Sequence, residues 1–188
     1  MKKILLTVGS ENSISPNSWA DYTNNIIGTE LLNVSEKNIS NTIIARKTIY
    51  NVIKLLEKYT PDEILVGVIW TDITRSERYV ENGKNDGYFN VNEKLVSVVD
   101  ESKNWRIFDK ENNDTSKDTK LYYDIFYNKY FSMISTLEQI IRIQSFFKKY
   151  GISYFMTFTN NLFEEKSDFT KLTLKILDHV ETAYLIDM

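Results

Sequence analysis

The sequence of 188 residues contains no cysteine, only one histidine, two prolines and six glycines. The absence of cysteine excludes disulfides, thiolate metal sites and a cysteine nucleophile, and a single histidine excludes a zinc site built from several histidines. No apolar run approaches the roughly 20 residues that a membrane-spanning helix needs. Phosphate loops, dinucleotide fingerprints and EF-hands are also missing. We therefore expect no metal, no other cofactor and no membrane partner.

The sequence also lacks an excess of either positive or negative charge. The chain has 23 Lys and Arg against 26 Asp and Glu, a formal charge of −3, and no basic block. This balance lacks the electrostatic footprint of a protein that reads duplex nucleic acid. With 42% hydrophobic and 13% aromatic residues, a chain of this length can bury roughly 70% of its unfolded surface. We expect one domain over residues 1–188.

The first residues indicate a location. Met1-Lys2-Lys3 is a basic start, but the apolar run Ile4–Val8 is too short for the core of a signal peptide and is soon followed by polar Ser10-Glu11-Asn12. The run is typical of a first buried strand. We expect a cytoplasmic protein, in the host cytoplasm if it is viral.

Strand and helix patterns alternate along the chain. Continuous apolar runs predict strands buried on both faces, and the run at residues 64–70 is the most apolar. The predicted strands are Ile4–Val8, Glu30–Val34, Ile64–Trp70 and Ile152–Phe158, and the predicted helices cover about 19–27, 40–59, 122–150 and 168–180. This order predicts an α/β three-layer sandwich around a parallel, flavodoxin-like sheet of four or five strands, ordered 2-1-3-4.

Two segments depart from the alternation. Residues 71–120 are rich in Asn, Asp, Lys and Glu with scattered aromatics, which predicts a long polar excursion with one hairpin. The helix that follows opens with six aromatic residues, which favours a core cluster or an interface between copies of the chain. They are Tyr122, Tyr123, Phe126, Tyr127, Tyr130 and Phe131.

Polar residues collect where the predicted strands end. In an open parallel sheet the ligand crevice lies beyond the carboxyl ends of the strands. These ends are the segments 9–13, 35–41, 70–75 and 158–161. The alternative is that they are ordinary loops, because Ser, Asn and Asp dominate turns.

Three of these segments, in order, resemble the conserved blocks of the SGNH (GDSL-like) hydrolase family, in particular its divergent, often phage-encoded branch. The resemblance covers about Lys3 to Arg78. Its blocks are Lys3–Glu11 with Ser18-Trp19, then Asn33–Ser35 with Asn38–Asn41 and Ile44–Arg46, then Val68–Thr71 with Arg75 and Glu77.

The resemblance implies an enzyme that cleaves acyl or acetyl esters of a small molecule or glycan. In that family a first-block Ser attacks the carbonyl, and the oxyanion is held by its amide, by a second-block Gly amide and by a third-block Asn. Here Glu11 occupies the nucleophile position, so the resemblance implies Ser10 or Ser13 as the nucleophile of an altered turn. Asn38 stands at the Gly position and Thr71 at the third-block Asn, whereas Asn41 is retained.

The family's late Asp-x-x-His block is not matched. His179 directly follows Asp178 inside a predicted helix, and a partly buried structural role is favoured over a catalytic one.

A charged group follows the central strand. Asp72, Arg75, Glu77 and Arg78 are candidates for binding a polar ligand, and the alternative is surface ion pairs worth at most about 1 kcal/mol each. Trp70 is either a stacking platform for a sugar ring or a core aromatic.

Three functions stay open. The first is the ester hydrolase; the second is a catalytically inactive relative that serves as a binding or assembly module, plausibly viral. The third is an α/β enzyme that uses Glu11 or Asp72 as general base on a nucleotide or sugar. In each case we expect Glu11, Asn41, Thr71 and Arg75 to converge at the carboxyl edge of the sheet.

Overall fold

The computed structural model describes residues 1–9, 14, 18–79, 105–108, 117–159 and 171–181. The strands are β1 (Ile4–Val8), β2 (Glu30–Asn33), β3 (Ile64–Trp70), β4 (Ser76–Tyr79), β5 (Trp105–Phe108) and β6 (Ser153–Phe158). The helices are α1 (Trp19–Ile27), α2 (Asn41–Leu55), α3 (Lys117–Leu121), α4 (Lys129–Tyr150) and α5 (Lys171–Leu177). A 3₁₀ turn covers Pro61–Glu63 and a π-helix covers Tyr122–Phe126.

Four strands form one parallel sheet in the order β2-β1-β3-β6. This confirms the predicted parallel sheet and its strand order. In the register of the central pair, Ile4 lies opposite Ile64 and Val8 opposite Val68. All five residues of β1 are buried, because a strand in the middle of a parallel sheet is covered on both faces.

Helices cover both faces of this sheet. Alternate residues of β1 and β3, among them Leu6 and Val66, share one apolar cluster with Ile44 of α2 and Leu137 of α4. Trp19 of α1 approaches the opposite face at Gly67. The molecule is therefore an α/β three-layer sandwich.

Gly67 in the middle of β3 has a packing reason. A Cβ atom at this position would lie 2.7 Å from the Phe155 ring and 2.8 Å from the Trp19 ring. These two rings meet edge to face, with centroids 5.7 Å apart. Because real Cβ contacts are longer than 3.0 Å, only glycine leaves room for this aromatic pair.

Helix α2 begins where its sequence predicts. Ser40 is the N-cap, and its Oγ accepts a hydrogen bond from the Ile43 N–H at 3.3 Å. The regular helix ends at Leu55 rather than at the predicted Tyr59, and a turn carries the chain to Pro61.

The predicted long helix from Tyr122 to Tyr150 is interrupted. The π-helix ends when the Tyr127 N–H donates to the Tyr122 carbonyl at 2.9 Å. A new helix then starts at Lys129, because Asn128 Oδ1 accepts from the Phe131 N–H at 3.1 Å. Tyr130, one of the six aromatic residues at the start of the predicted helix, is 44% exposed. It lies in the first turn of α4 and is not part of the core.

Within the polar excursion, β4 and β5 pair antiparallel, with Ser76 opposite Phe108. This agrees with the predicted hairpin. Residues 80–104 and 109–116 of the excursion lie outside the described residues, as do 168–170 and the apolar tail 183–186. In the part of the chain that the structure describes, no helix combines the length and the apolar character needed to cross a membrane.

Candidate functional site

Asn41 joins the start of α2 to the end of β3. Its Oδ1 accepts from the Thr71 N–H at 2.8 Å, and its Nδ2 donates to the Thr71 carbonyl at 3.0 Å. The same Nδ2 donates to Thr136 Oγ1 of α4 at 3.1 Å. Asn41 and Thr71 are only 5% and 2% exposed. The Asn41 amide therefore acts as a structural bridge between three elements.

The turn after β3 is fixed by its own polar side chains. Asp72 Oδ1 accepts from the Thr74 N–H at 2.7 Å, which is an Asx turn. Arg75 donates from its guanidinium to Thr71 Oγ1 at 2.7 Å. Thr71 thus connects Asn41 on one side to Arg75 on the other.

A second cluster connects α2 to β4. Ser40 Oγ donates a short hydrogen bond to Glu77 Oε2. The Arg46 guanidinium donates to Glu77 Oε1 at 2.8 Å. The Glu77 side chain is 7% exposed, whereas that of Arg46 is 42% exposed. One carboxylate is therefore nearly buried between a hydroxyl and a cation.

Burial raises the pKa of the Glu77 carboxyl above its ordinary value of 4.5, and the contacts with Ser40 and Arg46 oppose this rise. We attribute the net direction to desolvation, because removing water disfavours the charged form of a carboxyl group. A carboxyl group with a raised pKa at the edge of a pocket is suited to proton transfer.

A buried ion pair stands next to the turn that follows β1. The Glu36 N–H donates to the Gly9 carbonyl at 3.0 Å. Lys47, only 5% exposed, places its Nζ 2.6 Å from Glu36 Oε1. Burial lowers the pKa of Lys47, and Glu36 partly restores it. The pair ties the first turn of the sheet to α2.

A cavity of about 290 Å³ opens between α2 and α4; we call it the α2–α4 pocket. The wall residues come from the start of α2, the turn into β4, the π-helix and the first turns of α4. They are Ser40, Asn41, Thr42, Arg46, Ile73, Arg75, Ser76, Glu77, Tyr122, Phe126, Asn128, Phe131, Ser132, Ser135 and Thr136. Most of these side chains can form hydrogen bonds, and the pocket adjoins the carboxyl edge of the sheet.

Residues 8–186 match the model of a family described as a family of unknown function, DUF6071. The chain belongs to this family. The DUF6071 match includes every residue of the Asn41 bridge and of the pocket wall. No curated protein and no solved structure is detectably similar to the chain.

In this DUF6071 chain, three of the expected site residues meet. Asn41, Thr71 and Arg75 form one continuous hydrogen-bonded chain. The Asn41 Nδ2 donates to two protein acceptors, so Asn41 positions its neighbours; a role for Asn41 in catalysis stays a prediction. Asp72 is likewise committed to its turn.

Trp70 and Asn38 do not line the pocket, and neither do Thr71 and Asp72. Trp70 is fully buried in the apolar cluster under α2 and α4, so it is a core aromatic and not a stacking platform. Asn38 is exposed and has φ +56°. The role expected for Asn38 in the site stays a prediction. Ser10, Glu11 and Ser13 lie outside the described residues.

His179 lies in the turn that follows α5, and its N–H donates to the Ile176 carbonyl at 3.0 Å. Its side chain is exposed. The partly buried structural role is therefore wrong, because the helix ends at Leu177, before His179 can contribute to its packed face.

Sequence reasoning gave no role to the pocket hydroxyls or to the pairing of Ser40 with Glu77. Ser132, Ser135 and Thr136 are spaced i, i+3 and i+4, which places them on one helix face. This spacing could have been recognised in the sequence as a hydroxyl-bearing helix face. The contact of Ser40 with Glu77 spans 37 positions and depends on the path of an irregular turn, so no local pattern indicates it.

As for metals, the described part of the chain contains no group of three or more His, Asp or Glu side chains arranged to hold an ion.

Proposed function

We propose that this protein is an SGNH-hydrolase-like enzyme that cleaves acyl or acetyl esters in the crevice at the carboxyl edge of the sheet. One observation carries the proposal: the segments that resemble the family's blocks are bonded directly to one another. Asn41 of the second block bridges to Thr71 of the third at 2.8 and 3.0 Å. Gly9 of the first block accepts from Glu36, beside the second, at 3.0 Å.

The backbone at Asn38 supports the same alignment. Among the described non-glycine residues, Asn38 alone has a positive φ, +56°. Left-handed backbone favours glycine, and asparagine is among the residues that tolerate it best. A glycine in the family and an asparagine here therefore satisfy the same conformational demand, and the N–H of this turn remains a candidate oxyanion donor.

The proposed chemistry needs a nucleophile and a base. A serine hydroxyl of the first turn, Ser10 or Ser13, attacks the ester carbonyl while a base takes its proton, and the alcohol leaves. The resulting acyl-enzyme is then hydrolysed by water. Under this proposal His179 and Glu11 are the candidate bases, because one is the single imidazole of the chain and the other directly follows Ser10.

The kinetic test compares serine variants on short-chain p-nitrophenyl esters. We expect Ser10→Ala or Ser13→Ala to abolish turnover, and the matched variant Ser15→Ala in the same segment to retain it. A folded wild-type protein with no turnover would contradict the proposal. Turnover that survives both Ser10→Ala and Ser13→Ala would contradict the assigned nucleophile.

A binding module without hydrolysis is the second candidate. It is favoured by the α2–α4 pocket, whose described walls bring several hydroxyl groups together between α2 and α4. In this case ligand binding persists in the Ser10→Ala and Ser13→Ala variants, and the wild-type protein shows no ester turnover. Under this alternative the protein is an assembly or recognition component, plausibly viral.

A further inference from the structure

We infer that the α2–α4 pocket is a subsite for one neutral, polyhydroxylated ring, that is, for a single sugar unit. The inference rests on the proposed function only in assigning this ring to the alcohol part of the ester. The ring-binding property itself follows from the pocket's walls.

The hydroxyl groups of the pocket give the first argument. Ser132 and Ser135 come from one face of α4, Thr42 from α2 and Ser76 from the start of β4. Hydroxyl groups both donate and accept hydrogen bonds. A ligand with several hydroxyl groups of its own can satisfy such walls from several directions at once, whereas an apolar acyl chain would leave them without partners.

The charges of the pocket argue against an ionic ligand. Arg46 and Glu77 neutralise each other at 2.8 Å. A cation in the pocket would meet Arg46 and Arg75, and an anion that approaches Arg75 would also meet the Glu77 carboxylate on the same wall. A neutral ligand that both donates and accepts hydrogen bonds avoids either repulsion, because it can accept from a guanidinium and donate to a carboxylate.

Two exposed rings favour a ligand with an apolar face. Phe126 and Phe131 line the pocket yet are 63% and 68% exposed. A sugar ring presents C–H groups on its faces and hydroxyl groups around its edge, so it can pack on an aromatic ring while its edge bonds to the pocket wall. Aromatic side chains with one apolar body suit such mixed contacts.

The size and backbone of the pocket agree with a single ring. Its volume of about 290 Å³ lies at the lower end of the roughly 300–1,000 Å³ found for small-molecule sites. Two of its wall residues, Tyr122 and Phe126, belong to the π-helix. π-Helices are rare and are frequent at functional sites.

Direct binding to the full-length protein tests the inference, with methyl glycosides of glucose, galactose, xylose and N-acetylglucosamine as neutral probes. Glucuronate and inorganic phosphate are the anionic probes. We expect at least one neutral glycoside to bind with a dissociation constant of about 1 mM or lower, measured by saturation-transfer NMR and titration. Absence of neutral binding, or binding of the anions alone, overturns the inference.

Two variant pairs locate the binding. Ser132→Trp fills the pocket and should raise the dissociation constant about tenfold or more, whereas Ser145→Trp, on an exposed position of the same helix, should leave it unchanged. Because Ser132→Trp can disturb folding, Phe131→Ala is the second variant, with exposed Ile125→Ala as its control. If Phe131→Ala binds the glycoside as tightly as Ile125→Ala, and a folded Ser132→Trp binds it as tightly as Ser145→Trp, the inference is overturned.

Turnover of p-nitrophenyl acetate, measured on the same wild-type sample, separates this inference from the proposed function. Glycoside binding without turnover supports the sugar subsite and contradicts the esterase. Turnover without glycoside binding contradicts the sugar subsite and supports the esterase.

Discussion

Glu77 is the residue on which the chemistry of the pocket depends most. Its carboxylate is almost removed from water, accepts from Ser40, and pairs with Arg46 across 2.8 Å. Desolvation raises its pKa, and the two partners hold the rise in check. The same contacts fasten β4 to the first turns of α2, so ionisation of one side chain is coupled to the geometry of the pocket.

This environment predicts a pH-dependent stability. A carboxyl whose pKa is higher in the folded than in the unfolded state contributes its full stability below about pH 4.5, and this contribution is lost as the pH rises through the folded pKa. We therefore expect the stability difference between wild type and Glu77→Gln to shift in favour of wild type as the pH falls from 8 to about 4.5. Urea midpoints of the two proteins across this range measure it. If this stability difference does not depend on pH, or shifts in favour of Glu77→Gln as the pH falls, the effect of burial on the Glu77 pKa does not exceed the opposing effect of Arg46.

Because Asn41 bridges three elements, we expect its substitution to lower the stability of the fold and not only to affect catalysis. Asn41→Ala leaves the N–H and the carbonyl of Thr71 buried without these partners, and each such group costs about 1–3 kcal/mol. We expect a decrease of about 2–4 kcal/mol in the free energy of unfolding. The matched control is Asn25→Ala on the exposed side of α1, which should stay within about 0.5 kcal/mol of wild type. Equal denaturant midpoints for both variants would refute the bridge.

The role of a single residue could be predicted from the sequence where its partners are close along the chain, and not where they are distant. Ser40 as an N-cap follows from local pattern, because its partner is three residues away. Trp70 could not be assigned from its neighbours, since it ends a strand whose alternate residues face opposite layers. Its burial depends on where α2 and α4 pack.

At the scale of elements, the apolar runs predicted the sheet well, because β1 is buried along its whole length and β3 is buried at every residue except Leu65. Helices α1, α2, α4 and α5 were predicted in position but not in detail, whereas α3 lies largely in the segment predicted as a polar excursion. The break at Tyr127-Asn128 has no signal in hydrophobic periodicity, since aromatic residues continue on both sides of it. Two contacts divide the helix: the π-type backbone hydrogen bond to the Tyr122 carbonyl and the side-chain cap formed by Asn128. Hydrophobic periodicity detects neither of them.

Helix α4 holds the core against one face of the sheet, and its packed side is testable. Leu137 is 1% exposed within the main apolar cluster. Leu137→Ala should lower the free energy of unfolding by about 2–4 kcal/mol, because it leaves a cavity among close-packed neighbours. Leu172→Ala, the same substitution at a position 56% exposed in α5, should cost less than about 1 kcal/mol. Similar midpoints for the two variants would show that the buried side of α4 is misassigned.

In the whole molecule, the strand order β2-β1-β3-β6 makes β1 and β3 neighbours, so their carboxyl ends lie at the same edge of the sheet. The sequence was sufficient for this topology, because right-handed crossovers leave few arrangements of alternating strands and helices. It was not sufficient for the site. The pocket is assembled from α2, the turn into β4, the π-helix and α4, and their mutual approach is set by packing over long sequence separations.

The proposed ester hydrolysis requires an activated serine, and covalent labelling of that serine is the decisive experiment. The purified full-length protein is incubated with a fluorophosphonate, which reacts with activated serine hydroxyls, and the adduct is located by intact-mass and peptide mass spectrometry. The account predicts one adduct per chain, at Ser10 or Ser13, that is lost on heat denaturation before labelling. A folded protein that acquires no adduct, or acquires it outside residues 9–13, would contradict the claim.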